Sequence, residues 1–119
     1  MNAIGDTTMR GLEYALDGMK ARMDVHANNL TNANTPGFRS ARVDFESNLK
    51  QALASRDKDL DRTPGPQVKN AMGLADAQGN TVSLETEMTE LMKANLMQRT
   101  LVNAYNFKVG VLRAAITGR

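Results

Sequence analysis

Cysteine and tryptophan are absent from this 119-residue chain, proline occurs three times, and aromatic residues make up only 4% of it. Without cysteine there is no disulfide, no thiolate metal site and no cysteine nucleophile. With so few rings, whatever the chain buries is aliphatic and rich in its eight methionines, the composition of helix packing. No apolar run is long enough to cross a membrane. Charge of one sign is missing too: 15 basic residues are interleaved with 13 acidic ones for a net +2. A phosphate-tracking surface needs clustered bases and stacking aromatics, so nucleic acid is not expected as a partner. No glycine-rich phosphate loop and no His, Asp or Glu set at metal-ligand spacing is present, so no small-molecule substrate, cofactor, metal or catalytic residue is assigned. The single histidine, His26, lies on an apolar helix seam with no acid at helical spacing on that seam, and reads as structural. The chain is not expected to be an enzyme.

What is present is helical periodicity. Asp6, Thr7 and Thr8 offer capping oxygens, and Met9, Leu12, Leu16, Met19, Met23, His26 and Leu30 then follow in steps of three and four. This predicts an N-terminal helix over 8–30 with one narrow apolar seam that needs a partner helix. Gly11, Ala15 and Gly18 lie beside that seam, either as tolerated glycines or as a smooth face for close approach. A second helix is expected over 83–117, with Ser83 as N-cap and a seam of Leu84, Met88, Leu91, Asn95, Gln98, Val102, Tyr105, Val109, Leu112 and Ile116. Asn95 and Gln98 interrupt it, either to fix register or because they lie at the edge of the stripe. Glu85, Glu87 and Glu90 near its start, and Lys93, Arg99, Lys108, Arg113 and Arg119 after them, fit the helix macrodipole.

The middle is of another kind. Asp44 is placed to cap a short helix over 44–54 carrying Phe45, Leu49, Ala52 and Leu53, and 55–82 reads as loop, with brief extended pieces at Val68 and at Thr81 and Val82. Residues 31–43 form a turn and extension. There, Asn29, Asn32, Asn34, Thr35, Pro36, Gly37 and Phe38 sit where the first helix must end. Asparagine accepts left-handed backbone, Pro36 forces Thr35 out of the helical region and Gly37 permits positive φ. The amides of this turn either cap the helix or bond a neighbouring subunit; spacing does not separate the two.

The chain as a whole is therefore expected to be one mainly α domain, 1–119. Its two long terminal helices pack as an antiparallel coiled-coil-like pair, with a short middle helix and an irregular or briefly extended segment between them.

The run Asn29 to Phe38, NLTNANTPGF, resembles the signature near the N-terminus of flagellar rod and hook proteins. Val43-Asp44-Phe45, the stretch Gly79 to Leu84 followed by Glu87-Met88, and Leu112 to Ile116 resemble the same flagellar basal-body rod protein family, most of all its proximal-rod B type. The short middle agrees with a proximal member, since distal-rod and hook relatives insert β-rich domains there. Met97-Gln98 stands where relatives often carry an aromatic. The resemblance implies a structural subunit of the basal-body rod, the shaft that transmits motor torque through the periplasm. It also implies export by the flagellar type III apparatus without a cleaved signal peptide. The opening segment Met1 to Asp6, in which no basic stretch precedes an apolar run, agrees with that. Implied partners are copies of the chain, other rod proteins, the rod's base adaptor and the membrane ring. The subunit contacts are expected on the seams, at Leu12, Leu16, Met19, Met23, Leu30, Leu91, Val102, Tyr105, Val109, Leu112 and Ile116, and at the Asn-rich turn. The alternative is a helical-hairpin adaptor, or a secreted helical protein, binding one partner through the same seam.

Overall fold

The computed structural model describes residues 3–54 and 60–118. In chain order these form helix α1 (Ala3–Thr31), strand β1 (Ala41–Asp44), helix α2 (Glu46–Ala54), a 3-10 turn (Leu60–Arg62), strand β2 (Gln67–Asn70) and helix α3 (Leu84–Thr117). The molecule is a flat rod, 63 × 29 × 14 Å. At 1.5 Å per residue α3 runs about 50 Å and sets the long dimension.

α1 starts at Ala3, ahead of the Thr7 and Thr8 positions proposed as its cap, so both threonines lie inside the helix. A potential cap does not end a helix that Ala3 and Ile4 already extend backwards. Ser83 is the N-cap of α3 and accepts from the Thr86 amide; Gly118, at φ 73°, closes its other end. α2 begins at Glu46, two residues after Asp44, with the Leu49 amide bonded to the Phe45 carbonyl. Asp44 ends β1 instead, accepting from Ser47 Oγ at 3.2 Å and from Lys69 Nζ at 3.1 Å. The Lys69 bond is the main reason its carboxyl lies below the usual aspartate range. β1 and β2 pair antiparallel, Val43 opposite Val68. Thr81 and Val82 form no strand. The part of the loop at 55–59 lies outside the described residues.

α1 and α3 run antiparallel: late α1 meets early α3 at His26 and Glu87, and early α1 meets late α3 at Glu13 and Tyr105. The small core lies along α1, where Ala15 and Met19 meet Ala94 of α3 and Val43 and Phe45 of the β1–α2 segment. α1 is therefore covered on two sides, and the narrow single seam expected for it is replaced by a wider buried surface. Phe45 is its largest fully buried side chain. The ring stacks edge-on to Tyr14 and lies under the Arg22 guanidinium at 4.8 Å. It also occupies the space a side chain at Gly18 would need: a Cβ there would fall 2.4 Å from the Phe45 ring. The smooth glycine face is thus used for close approach, by the Phe45 ring and by Leu53 of α2 opposite Gly11.

The seam of α3 is wider than the expected one. Leu91, Asn95, Gln98, Tyr105, Val109 and Leu112 of the expected series are half-buried, and Glu87, Ala94, Leu101 and Lys108, each one residue before an expected member, are buried or half-buried beside them. Close packing against α1 buries small Ala94 most deeply, and the bond to His26 takes Glu87 inside in place of Met88. Met88 and Val102 are left on the outside.

Candidate functional site

Where α1 ends, the Asn-rich turn is bound to the segment leading into α3. Asn29, fully buried, donates its amide to the Ala41 carbonyl at 2.8 Å and accepts the Ala41 N–H at 3.0 Å, so its side chain acts as a strand partner for the start of β1. The same amide nitrogen donates to Glu87 Oε2 at 3.0 Å, and His26 Nδ1 meets that oxygen at 2.5 Å. A carboxylate only accepts, so with Glu87 ionised Nδ1 carries the hydrogen. Burying a carboxylate is costly unless it is paired and hydrogen-bonded; His26 and Asn29 meet both conditions. Glu87 lies in the first turn of α3, as its reading as a dipole partner requires, and is also a buried link between the terminal helices.

The turn itself is held from the other side. Asn80 Nδ2 donates to the carbonyls of Asn32 and Thr35, at 2.9 and 2.8 Å, while its Oδ1 accepts from the Val82 amide. The Gly37 amide donates to the Gln78 carbonyl and the Thr81 amide to that of Phe38. Thr81 Oγ1 accepts from the Ser40 amide at 2.8 Å. Two left-handed glycines face each other here, Gly37 at φ 73° and Gly79 at φ 81°; a Cβ on Gly79 would meet Gly37 Cα at 3.5 Å. Asn32 bonds the Asn28 carbonyl and accepts from Thr35 Oγ1. Of the two readings left open for the turn, the first describes Asn32, whose amide bonds the Asn28 carbonyl at the end of α1; Asn29 does neither, its amide joining α1 to Ala41 and Glu87 of its own chain. Asn34, Thr35, Pro36 and Gly37 are exposed, and Phe38 is half-buried.

Of the residues assigned to helix seams, Met19 belongs to the chain's own core. Leu12, Leu16, Met23, Leu30, Leu91, Tyr105, Val109 and Leu112 are half-buried, and Val102 and Ile116 are exposed. Tyr105 donates to Glu13 at 3.2 Å, and that carboxylate holds its phenol above the usual tyrosine value.

The larger apolar surface was missed. With about 100° between successive residues, Met88, Met92, Leu96, Phe107 and Val111 fall on the side of α3 turned away from α1. All five are exposed, Phe107 by 74%. At its early end this face forms a shallow groove floored by Leu91, Met92 and Leu96 and edged by Lys93 and Arg99. Its apolar residues advance by four where the expected seam alternates four and three, which is the signal by which it is found. Among the described residues no cluster of His, Asp or Glu has the geometry to hold a metal ion.

Comparison with known proteins agrees with this architecture. The family model described as "Flagella basal body rod protein" matches residues 12–39, the last two-thirds of α1 and the turn. The chain is 29% identical to the flagellar basal body rod protein FlgB of Aeromonas hydrophila, over 89% of each chain. It is 30% identical to FlgB of Bacillus subtilis (strain 168), over 93% of this chain and 94% of the relative. A flagellar hook protein FlgE, of Borreliella burgdorferi, is 30% identical over 73% of this chain but only 21% of its own length. The terminal helix pair, the Asn-rich turn bound to the start of α3 and near full-length similarity lead to one assignment: the chain belongs to the flagellar basal body rod protein FlgB family.

Proposed function

We propose that the chain is a structural subunit of the bacterial flagellar basal-body proximal rod, polymerising through its terminal helices to form the shaft that transmits torque for motility. The observation that carries this reading is the apolar outer face of α3. A helix apolar on both sides is a helix with a second partner, and exposed patches of this kind mark association surfaces. Membership of the rod family supplies the context. The contacts we assign to neighbouring subunits are the outer face of α3 at Met88, Met92, Leu96, Phe107 and Val111, the seam positions left accessible at Leu12, Leu16, Leu91, Val102, Val109, Leu112 and Ile116, and the exposed corner of the turn at Asn34 and Pro36. Partners are copies of the chain, other rod proteins, the rod-base adaptor and the membrane ring, with the flagellar type III apparatus engaged during export. The site of action is the cell-envelope rod.

The test is mass spectrometry of purified hook and basal-body complexes from the source organism. The chain should co-purify at near-stoichiometric level with the other rod proteins, and cells lacking it should be non-motile and without rods. If the other rod proteins are present and this chain is not, the single-partner helical adaptor becomes the better reading. Leu16→Asp and Val109→Asp should each abolish motility, because assembly would bury an unpaired charge.

A further inference from the structure

Two exposed apolar features remain, and they differ in shape. The loop between β2 and α3 holds Met72 and Leu74 in water, 100% and 97% exposed. The loop is nevertheless fixed at its base. The Ala71 amide donates to the Ser40 carbonyl, Asp76 Oδ1 accepts from the Gln78 and Asn80 amides, and Gly73 packs against the Thr81 carbonyl. The second feature is the groove on α3, where Met92 and Leu96 are 71% and 68% exposed. From Ala71 to Val82 the only charged side chain is Asp76; the groove is edged by Arg99 and by Lys93, which pairs with Glu90 at 3.5 Å. One feature is a held apolar knob with a negative charge, the other an apolar groove whose rim is positive at Arg99.

We infer that the 71–80 loop of one copy seats its Met72 and Leu74 in the α3 groove of the next copy, with Asp76 beside Arg99. This rests on the proposed rod role and names the contact that would extend it. Knob and groove are different surfaces of one chain, so a contact made in one direction runs head-to-tail and propagates, whereas reciprocal seating of both knobs would close a dimer and give no ladder. Methionine on both sides suits a surface that must adapt to a neighbour.

The full-length chain has no cysteine, so introduced thiols are unique. One tagged copy carries Leu74→Cys and a differently tagged copy carries Leu96→Cys. Both are expressed in flagellated cells in place of the natural chain, and basal bodies are purified after mild oxidation. A second pair, Ala75→Cys with Thr89→Cys, places the thiols at exposed positions that leave both apolar features and the Lys93 and Arg99 rims intact. The expected result is a mixed-tag disulfide several-fold more abundant than either same-tag one, and a ladder of multimers when one chain carries both thiols. Copies present in basal bodies with no mixed disulfide in either pair overturn the inference and leave the rod reading standing. Leu74→Cys joined to a different protein overturns the second copy as occupant. Absence of the unsubstituted chain from basal bodies overturns the rod reading and the inference with it.

Discussion

The two ends of the α1–α3 pair are held by unlike forces. At the turn end, His26, Asn29, Ser40, Asn80, Thr81 and Glu87 are buried polar residues, and among the described residues no buried side-chain nitrogen or oxygen lacks a partner. At the other end the helices meet through half-buried residues and the exposed Tyr105 to Glu13 bond, with Phe107, Val111 and Ile116 left in water. Hydrogen bonds are directional and admit one arrangement; apolar contact tolerates small slides. The turn end therefore sets the register of the pair, and the far end keeps its apolar surface for something else.

That contrast is broken most strongly at Glu87. Glu87→Ala removes the partner of the buried His26 ring and one of the two acceptors of Asn29, and is expected to destabilise the fold by about 2–3 kcal/mol, read as a drop in thermal midpoint. The double change His26→Leu with Glu87→Leu removes both members of the buried hydrogen-bonded pair and should recover much of that loss. If it does not, the link carries more than its own burial cost. Next comes Gly18→Val, which drives a side chain into the Phe45 ring and is expected to cost about 1–3 kcal/mol in chemical denaturation. Combining it with Phe45→Leu should cost less than the sum, since the two sites share one space. At the far end Phe107→Ser should shift monomer stability by no more than about 0.5 kcal/mol while reducing incorporation into basal bodies. The smallest effect is expected at Tyr105. Its phenol titrates above the usual value in the folded chain, so its bond to Glu13 contributes below the ordinary tyrosine range and is lost as pH rises through the raised value. Tyr105→Phe should lower neutral-pH stability slightly and reduce the alkaline dependence in a denaturation series, leaving the part that belongs to Tyr14, whose phenol pKa is also raised by burial.

Much of the fold is legible in the sequence because helices announce themselves locally. The terminal helices, the short one between them, the Ser83 cap and the Asn-rich turn all follow from spacings of a few residues. The face of α3 is harder, because four-three alternation fits two adjacent series equally in its shared members Leu91, Gln98, Tyr105 and Leu112. Only the packing of Ala94 on α1 and the pairing of Glu87 with His26 decide which lies deeper. That pairing joins residues 61 positions apart, and its companion from Asn29 spans 58. No periodicity reports such a bond, which is why His26 could be placed in the interior while its acidic partner was not recognised. Thr81 was read as extended for its β-branched shape, but its hydroxyl is occupied by the Ser40 amide instead.

The long span of those bonds has a consequence for timing. A chain made from its N-terminus completes α1 and the Asn-rich turn well before Glu87 and Asn80 exist. Until they arrive, His26 and the carbonyls of Asn32 and Thr35 lack the partners they have in the folded chain, and α1 has no α3 to cover its second side. The bonds of Asn29 to Ala41, the β1–β2 pair and Phe45 on Gly18 need nothing beyond Asn70, so the last third of the chain closes a structure whose first half can already be in place.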